Sequence, residues 1–172
     1  MVTPSPNLGV LRQAFKHLNA GNINGCLALM RPDFIINIAD MPGQKCGHAA
    51  WRNHAEILFK TLPDVKVQIE DAIEAGDKLA VRVRIRGTHM GEFLGCRPTG
   101  NQVDYISHEI YRFENGKLAE EWICSDSVTL MRQIGALSTN RLAAMWLSGY
   151  RYWVGLATGA VIAVAVQYLV RV

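Results

Sequence analysis

Apolar residues recur every three or four positions near the start of the chain, which predicts helices there. Leu8, Leu11, Phe15 and Leu18 share one face of a first helix, and a short second helix is predicted over 22–30. A helix with one apolar stripe packs that stripe against a core, so this part of the chain is expected to cover one side of a sheet.

The middle of the chain alternates apolar and polar residues, a pattern typical of half-buried strands. The predicted strands cover 34–38, 65–70, 79–85, 103–113 and 117–126. A third helix, from His48 to Leu62, separates the first strand from the others and ends at Pro63. Asn115-Gly116 favours a two-residue hairpin between the last two strands. We therefore predict an α+β fold in which a curved antiparallel sheet wraps over helices.

An uncharged apolar segment runs from Trp153 to Val170. As a helix it is about 27 Å long, close to the hydrocarbon thickness of a bilayer. Arg151 and Arg171 bracket it, where their side chains can reach lipid headgroups. We expect one C-terminal transmembrane helix that anchors the chain as a single span.

The predicted span covers residues 152–170, and residues 137–151 connect it to the preceding domain. Gly155 and Gly159 form a G-x-x-x-G pattern, which allows close approach of another helix. We expect membrane lipid and other transmembrane subunits as partners of this part of the chain.

Charge is divided unevenly along the chain. No Asp or Glu occurs from Ser127 onward, so this segment carries +4, while residues 1–126 carry −1. Arg141 and Arg151 on the domain side of the span outnumber Arg171 beyond it, which predicts that the domain lies in the cytoplasm or in a matrix-like compartment. The first 32 residues contain no acid, a composition typical of mitochondrial targeting and also compatible with a core-facing helix. A near-neutral domain predicts no nucleic-acid partner.

Several motifs match one family in order and spacing. They are Gly76-Asp77, GTHMGEFLGCRPTG from Gly87 to Gly100, YRFENGKLAEEW from Tyr111 to Trp122, Asp126, and LMRQIG from Leu130 to Gly135. Over residues 7–136 the chain resembles the SnoaL-like polyketide cyclases, which have the nuclear-transport-factor-2-like fold. The resemblance implies a domain over residues 1–136 with a pocket inside a cone of sheet. In that pocket an acidic residue moves protons during an aldol-type ring closure.

Asp126 matches the acid of that family, but the residues alone leave two roles open. It can act as a general acid and base, or it can cap the helix predicted over 128–134. His89 and His108 are candidate catalytic partners or ordinary core histidines. Trp51, Trp122 and Tyr105 are expected to line the pocket. This chemistry needs no cofactor, and the four scattered cysteines predict no metal site.

Two positions depart from the family pattern and weaken the catalytic interpretation. Glu121 stands where many members have a histidine, and Arg97 occupies a loop position that is usually apolar. The predicted strand over 79–85 and the residue after it place Arg82, Arg84 and Arg86 in an exposed stripe, which is typical of a solvated sheet face. Glu109 and Glu120 are the predicted ion-pair partners of these arginines.

Two functions follow from these observations. The first is a non-catalytic accessory subunit of a multi-subunit complex, placed in the mitochondrial inner membrane. The second is a membrane-tethered cyclase, isomerase or epoxide hydrolase that acts on a lipophilic small molecule and uses Asp126. A passive carrier of a lipid or quinone is a third hypothesis. The sequence favours the subunit.

Overall fold

Helices come first along the chain and long strands follow, as the sequence pattern predicts. The computed structural model describes residues 6–39, 41 and 43–170. Its helices are α1 (Pro6–Asn19), α2 (Ile23–Ala28), α3 (His48–Thr61), α4 (Ser127–Gln133), α5 (Thr139–Ser148) and α6 (Arg151–Val170). Its strands are β1 (Met30–Ile38), β2 (Lys45–Cys46), β3 (Lys66–Ala75), β4 (Lys78–Thr88), β5 (Gln102–Glu114) and β6 (Lys117–Ser125).

The strands form one mixed sheet in the order β2-β1-β6-β5-β4-β3. All neighbouring pairs are antiparallel except β1 and β6, which run parallel. A parallel pair needs a long connection, and here α3 and four strands lie between its two members. The α+β class is confirmed, with this one parallel pair in a sheet that was expected to be antiparallel throughout.

Helix α1 packs its predicted face on the inner side of the sheet. Leu11, Ala14, Phe15 and Leu18 are buried in the hydrophobic core. At its end, the Asn19 amide donates to the Val67 carbonyl at 2.8 Å, and its oxygen accepts from the Val67 N–H at 2.7 Å. This pair of bonds joins the end of α1 to strand β3.

The long central hairpin of β5 and β6 turns where the sequence predicts. Asn115 and Gly116 have φ values of 52° and 74°, the left-handed geometry that a two-residue hairpin turn requires. Glycine adopts this conformation at little cost, and asparagine tolerates it better than most residues.

His108 does not lie on the core-facing side of β5, where a catalytic or core histidine would have to be. Ser107 and Glu109 are buried, whereas His108 and Ile110 are exposed. The phase is fixed at the two ends of the strand, where large apolar side chains occupy the odd-numbered positions. Those core residues are Val103, Tyr105, Tyr111 and Phe113. Because side chains alternate along a strand, Glu109 must share their face.

Contacts divide the chain into two units, residues 1–136 and 137–172. In the second unit, Ser138 caps α5 by accepting from the Arg141 N–H at 3.3 Å. Helix α6 is long and apolar enough to cross a membrane, and none of its side chains is buried.

The predicted anchor residues are placed on α6 with one exception. Arg151, Trp153, Gly155 and Gly159 lie on this helix, and the Arg151 guanidinium stands 5.1 Å from the centre of the Tyr152 ring. The two glycines have open space where a side chain would begin. Arg171 lies outside the described residues.

We expect Gly91→Ala to lower the free energy of unfolding by about 1–3 kcal/mol, because the added methyl group has no room. A Cβ at Gly91 would lie 2.0 Å from the carbonyl oxygen of Lys60. The Gly91 N–H also donates to the Thr61 carbonyl oxygen at 3.2 Å. The loop that contains Gly91 therefore cannot move away from the end of α3 without breaking this hydrogen bond.

Gly9→Ala is the matched control, since Gly9 lies in α1 and a Cβ there meets nothing within 4 Å. Alanine is the better helix former, so this variant should gain up to about 1 kcal/mol. Urea unfolding of the full chain in mild detergent measures both. Equal stability of the two variants would contradict the close approach of the loop to α3.

Candidate active site

A cavity of about 450 Å³ lies between the inner face of the sheet and helices α1, α3 and α4. Its wall is mostly apolar, with residues such as Leu11, Phe15, Leu58, Ile85 and Leu130. A few polar side chains interrupt that wall: His54, Thr61, Tyr105, Glu109, Tyr111, Glu121 and Ser125. An apolar cavity with a few convergent polar groups is the usual form of a small-molecule site.

Glu109 projects from the middle of β5 into this cavity and is only 7% exposed. The Tyr111 hydroxyl donates to its Oε2 at 2.5 Å, and Ser107 donates a further hydrogen bond. Burial raises the pKa of the Glu109 carboxyl, and these two hydrogen bonds oppose part of that rise. Ser107 is itself completely buried and accepts from the Ser125 hydroxyl at 3.1 Å.

Glu121 enters the cavity from the neighbouring strand β6 and is 3% exposed. It stands directly opposite Tyr111 in the antiparallel register. The Trp51 indole donates to its carboxyl, whereas its Oε1 has no hydrogen-bond partner among the described residues. Burial, and then repulsion by Glu109, raise the pKa of Glu121 well above its ordinary value.

The two carboxyls are therefore differentiated by their surroundings. Glu109 has the hydrogen-bond donors that stabilise a carboxylate, so it loses its proton first. Glu121 holds its proton more tightly, because burial and then repulsion by Glu109 raise its pKa well above the ordinary value, whereas hydrogen bonds offset part of the rise at Glu109. The cavity thus holds a base and an acid side by side.

This pair is not predicted from the sequence, where Glu109 is interpreted as a partner of the arginine stripe and Glu121 as a departure that weakens catalysis. In the structure the stripe pairs with other acids: Arg84 with Glu70 and Asp104, and Arg86 with Asp104. The apolar residues at both ends of β5 show which of its alternating side chains face the core. Counting from either end, this alternation predicts that Glu109 points inward.

Asp126 lies at the end of β6, where it caps α4. Its carboxylate accepts from the Thr129 N–H at 2.9 Å, and its side chain is exposed. Hydrogen bonds from Thr129 lower the pKa of Asp126 below its ordinary value. This is the geometry of the helix cap, one of the two roles that the sequence left open.

The two candidate histidines are not brought together in the cavity. His89 is completely buried beside Thr99, whose hydroxyl lies 3.0 Å from Nδ1, and it does not line the cavity wall. His108 lies on the opposite face of the sheet, exposed in a groove that Trp122 also lines. His89 is therefore a buried core histidine, one of the two roles that the sequence left open. Strand phase places His108, and Trp122 with it, on the outer face of the sheet, contrary to the predicted pocket.

Trp51 and Tyr105 do line the cavity, each 7% exposed. His54, which the sequence analysis did not single out, joins them from α3. Burial, and then the charge of Lys45, lower the pKa of His54, so it is neutral at physiological pH. Within the described ranges, no group of three His, Cys, Asp or Glu side chains is placed to hold a metal ion.

The family model of the SnoaL-like polyketide cyclases matches residues 9–134. The chain belongs to this family. The match covers the whole of the first structural unit except its ends, including both cavity glutamates. No curated protein matches the sequence.

Solved structures of SnoaL-like proteins resemble this chain over the same domain. AclR of Streptomyces galilaeus, a candidate hydroxylase, is 25% identical with a TM-score of 0.69, over 77% of this chain and 97% of AclR. IdmH of Streptomyces antibioticus, a candidate polyketide cyclase, is 26% identical with a TM-score of 0.66, over 75% of this chain and 98% of IdmH. A SnoaL-like protein of Jannaschia sp. CCS1 has the same fold, with 22% identity and a TM-score of 0.72, over 80% of this chain and 99% of that one.

We predict that Glu121→Gln stabilises the protein at alkaline pH and not at acidic pH. The folded protein keeps the Glu121 proton, whereas the unfolded chain loses it above the ordinary pKa of glutamate. Stability therefore falls as the pH rises towards the folded-state pKa, and the amide removes that loss. The gain should exceed about 1 kcal/mol at about pH 8 and vanish near about pH 4.

Glu120→Gln is the matched control, because Glu120 lies on the other face of β6 and its Oε2 accepts from Arg112 at 3.3 Å. It should give no gain at any pH. Urea unfolding at several pH values measures both variants. A pH-independent effect of Glu121→Gln would mean that Glu121 ionises normally in the folded protein.

Proposed function

We propose that this protein is a cofactor-independent acid–base enzyme that closes a ring by an aldol-type reaction on a lipophilic carbonyl compound. The observation that carries this proposal is the pair Glu109 and Glu121, whose carboxyls project into one apolar cavity with different proton affinities. Enolisation of a ketone requires one group that removes a proton from carbon and a second group that donates a proton to the carbonyl oxygen.

Glu109 is the base in this proposal. Its carboxylate removes a proton from the carbon next to the substrate carbonyl, while Glu121 donates its proton to the carbonyl oxygen. The enol so formed attacks a second carbonyl of the same molecule, and a carbon–carbon bond closes the ring. The proton on Glu109 passes to the new alkoxide, and Glu121 recovers its proton from the enol hydroxyl as the first carbonyl reforms.

Other residues of the cavity position these two groups. Tyr111 and Ser107 hold the Glu109 carboxyl in one orientation, and Trp51 holds one side of Glu121. The cavity volume of about 450 Å³ suits a small molecule of a few fused rings. The similarity to IdmH, a candidate polyketide cyclase that is 26% identical, supports the same class of reaction.

Proton transfer can be tested without the natural substrate. In D2O, the wild-type protein should accelerate hydrogen–deuterium exchange at the carbon next to the carbonyl of 1-tetralone, measured by proton NMR. Glu109→Gln should slow the catalysed exchange by about 100-fold or more, since it removes the base.

Asp126→Asn is the decisive control, because asparagine caps a helix as well as aspartate but cannot move a proton. It should leave both exchange and stability unchanged. A loss of exchange in Asp126→Asn, with Glu109→Gln still active, would show that Asp126 and not Glu109 is the base. No acceleration by the wild type would refute the enzyme.

We further propose that α6 crosses a membrane and tethers the domain close to membrane-dissolved substrate. Its length, its apolar composition and the full exposure of its side chains support this. Exposed apolar residues also continue on α5, where Met145 and Trp146 are 66% and 73% exposed. Such a surface is unfavourable in water and suits a lipid environment.

A double substitution in the middle of α6, Val161→Lys with Val164→Lys, should abolish membrane integration. Two lysines near the centre of the bilayer cost roughly 5–7 kcal/mol on insertion scales. Alkaline carbonate extraction of host membranes measures the effect, with Val161→Leu and Val164→Leu together as the control. Retention of the lysine variant in the pellet would argue against a transmembrane α6.

The accessory-subunit hypothesis is a second candidate, and the exposed apolar surface of α6 is the observation that favours it. Other transmembrane helices would cover that surface as well as lipid does. A chain that is monodisperse and alone in mild detergent, yet active in the exchange assay, would decide for the enzyme. The mitochondrial inner membrane stays a prediction that rests on the basic, acid-free first 32 residues.

A further inference from the structure

Two buried oxygens in the cavity wall lack a hydrogen-bond partner among the described residues, Thr61 Oγ1 and Glu121 Oε1, and only the second belongs to an ionisable group. The Oε1 atom of Glu121 is buried without a partner among the described residues, although the residue as a whole is 3% exposed. An unsatisfied buried polar atom is costly, and native proteins retain one mainly where a ligand or water completes it. Because Glu121 lines the cavity, its partner is expected to be a ligand there.

The charges around Glu121 define what that ligand can be. The titratable groups that line the cavity are Glu109, Tyr105 and Tyr111 on β5, His54 on α3 and Cys26 on α2. No lysine or arginine belongs to the cavity wall within the described part of the chain. The wall therefore offers two buried carboxyl groups, both with a raised pKa, and no cation to receive an anion.

We infer that Glu121 and Glu109 together select the substrate by its ionisation state. The cavity accepts an uncharged ketone, ester or quinone carbonyl at Oε1 of Glu121 and excludes the carboxylate of the same size. This inference deepens the proposed function, since it concerns the same site, but it requires only binding. It assigns Glu121 a role in specificity beyond its role as the acid.

A matched pair of aromatic probes tests the inference. 2-Acetylnaphthalene presents a neutral carbonyl, and 2-naphthoate presents a carboxylate on the same ring system. Equilibrium dialysis measures their affinity for the full chain in nanodiscs of zwitterionic lipid, and nanodiscs without protein correct for partition into lipid. The wild type should prefer the ketone by at least about tenfold, because like charges in a desolvated site repel strongly.

Variants separate charge from shape. Glu109→Gln with Glu121→Gln preserves size and keeps an N–H donor at position 121, so its affinity for naphthoate relative to the ketone should rise above that of the wild type. Glu121→Leu should weaken ketone binding by roughly threefold to tenfold, the effect of one lost hydrogen bond. Glu120→Gln, on the opposite face of β6, should change neither affinity.

The pH dependence supplies a second measurement. In the wild type, ketone affinity should decline as alkaline pH removes the Glu121 proton. The double glutamine variant should not show this decline, although His54, Tyr105, Tyr111 and Cys26 are all still present. A decline that persists in that variant would assign the titration to one of these other groups and overturn the role of Glu121.

The inference fails if the wild type binds naphthoate as well as the ketone, if it binds neither, or if the double variant leaves the ratio unchanged. The exchange assay with 1-tetralone keeps this failure separate from failure of the proposed function. Selective binding without catalysed exchange would leave the inference standing and make the protein a carrier. Catalysed exchange without a preference for the ketone would support the proposed enzyme and contradict the selectivity inferred for Glu121 and Glu109.

Discussion

Burial of two carboxyls inside one apolar cavity governs the chemistry of the interior of this protein. Glu109 and Glu121 are almost completely buried, and burial penalises the charged form of each. Their difference in hydrogen bonding makes Glu109 the easier of the two to ionise. Tyr111 and Ser107 donate to Glu109, whereas Glu121 has one oxygen without a partner. The same asymmetry gives the site a base, an acid and a preference for uncharged ligands.

The sheet determines that the two carboxyls meet. Strands β5 and β6 are antiparallel neighbours, with Tyr111 opposite Glu121, so Glu109 is one side-chain repeat away on the same face. Helix α3 covers this face and contributes Trp51 and His54. The opposite face has the charged ladder of Arg82, Arg84 and Arg86, which is exposed and satisfied by ion pairs with Glu70 and Asp104. Surface charge on this sheet therefore stabilises it only weakly, and the charges that matter for function are the buried ones.

Most of the fold could be predicted from the sequence, because it follows from local patterns. The helical spacing of Leu11 and Phe15 and the Asn115-Gly116 turn both predict what the structure contains. The parallel pairing of β1 with β6 could not be predicted, since no local pattern specifies which distant strand becomes a neighbour. The same holds for β2, whose two residues are too few to show any alternation.

The site was harder to predict for a different physical reason. Hydrophobicity is the signal that assigns a strand face, and here the functional residue on the inner face is charged while Ile106 and Ile110 lie on the outer one. The apolar residues in the middle of β5 therefore indicate the wrong phase. A family motif led to Asp126, which shares the strand end with the site but is used as a helix cap.

Direct titration of the two cavity carboxyls tests the central claim most directly. Carbon-13 NMR of glutamate-labelled full-length protein, with Glu109→Gln and Glu121→Gln used for assignment, follows each carboxyl as the pH is raised. We expect the Glu121 signal to remain that of a neutral acid through neutral pH, and Glu109 to titrate before it. Two signals that titrate together at the ordinary pKa of exposed glutamate would contradict the buried acid–base pair.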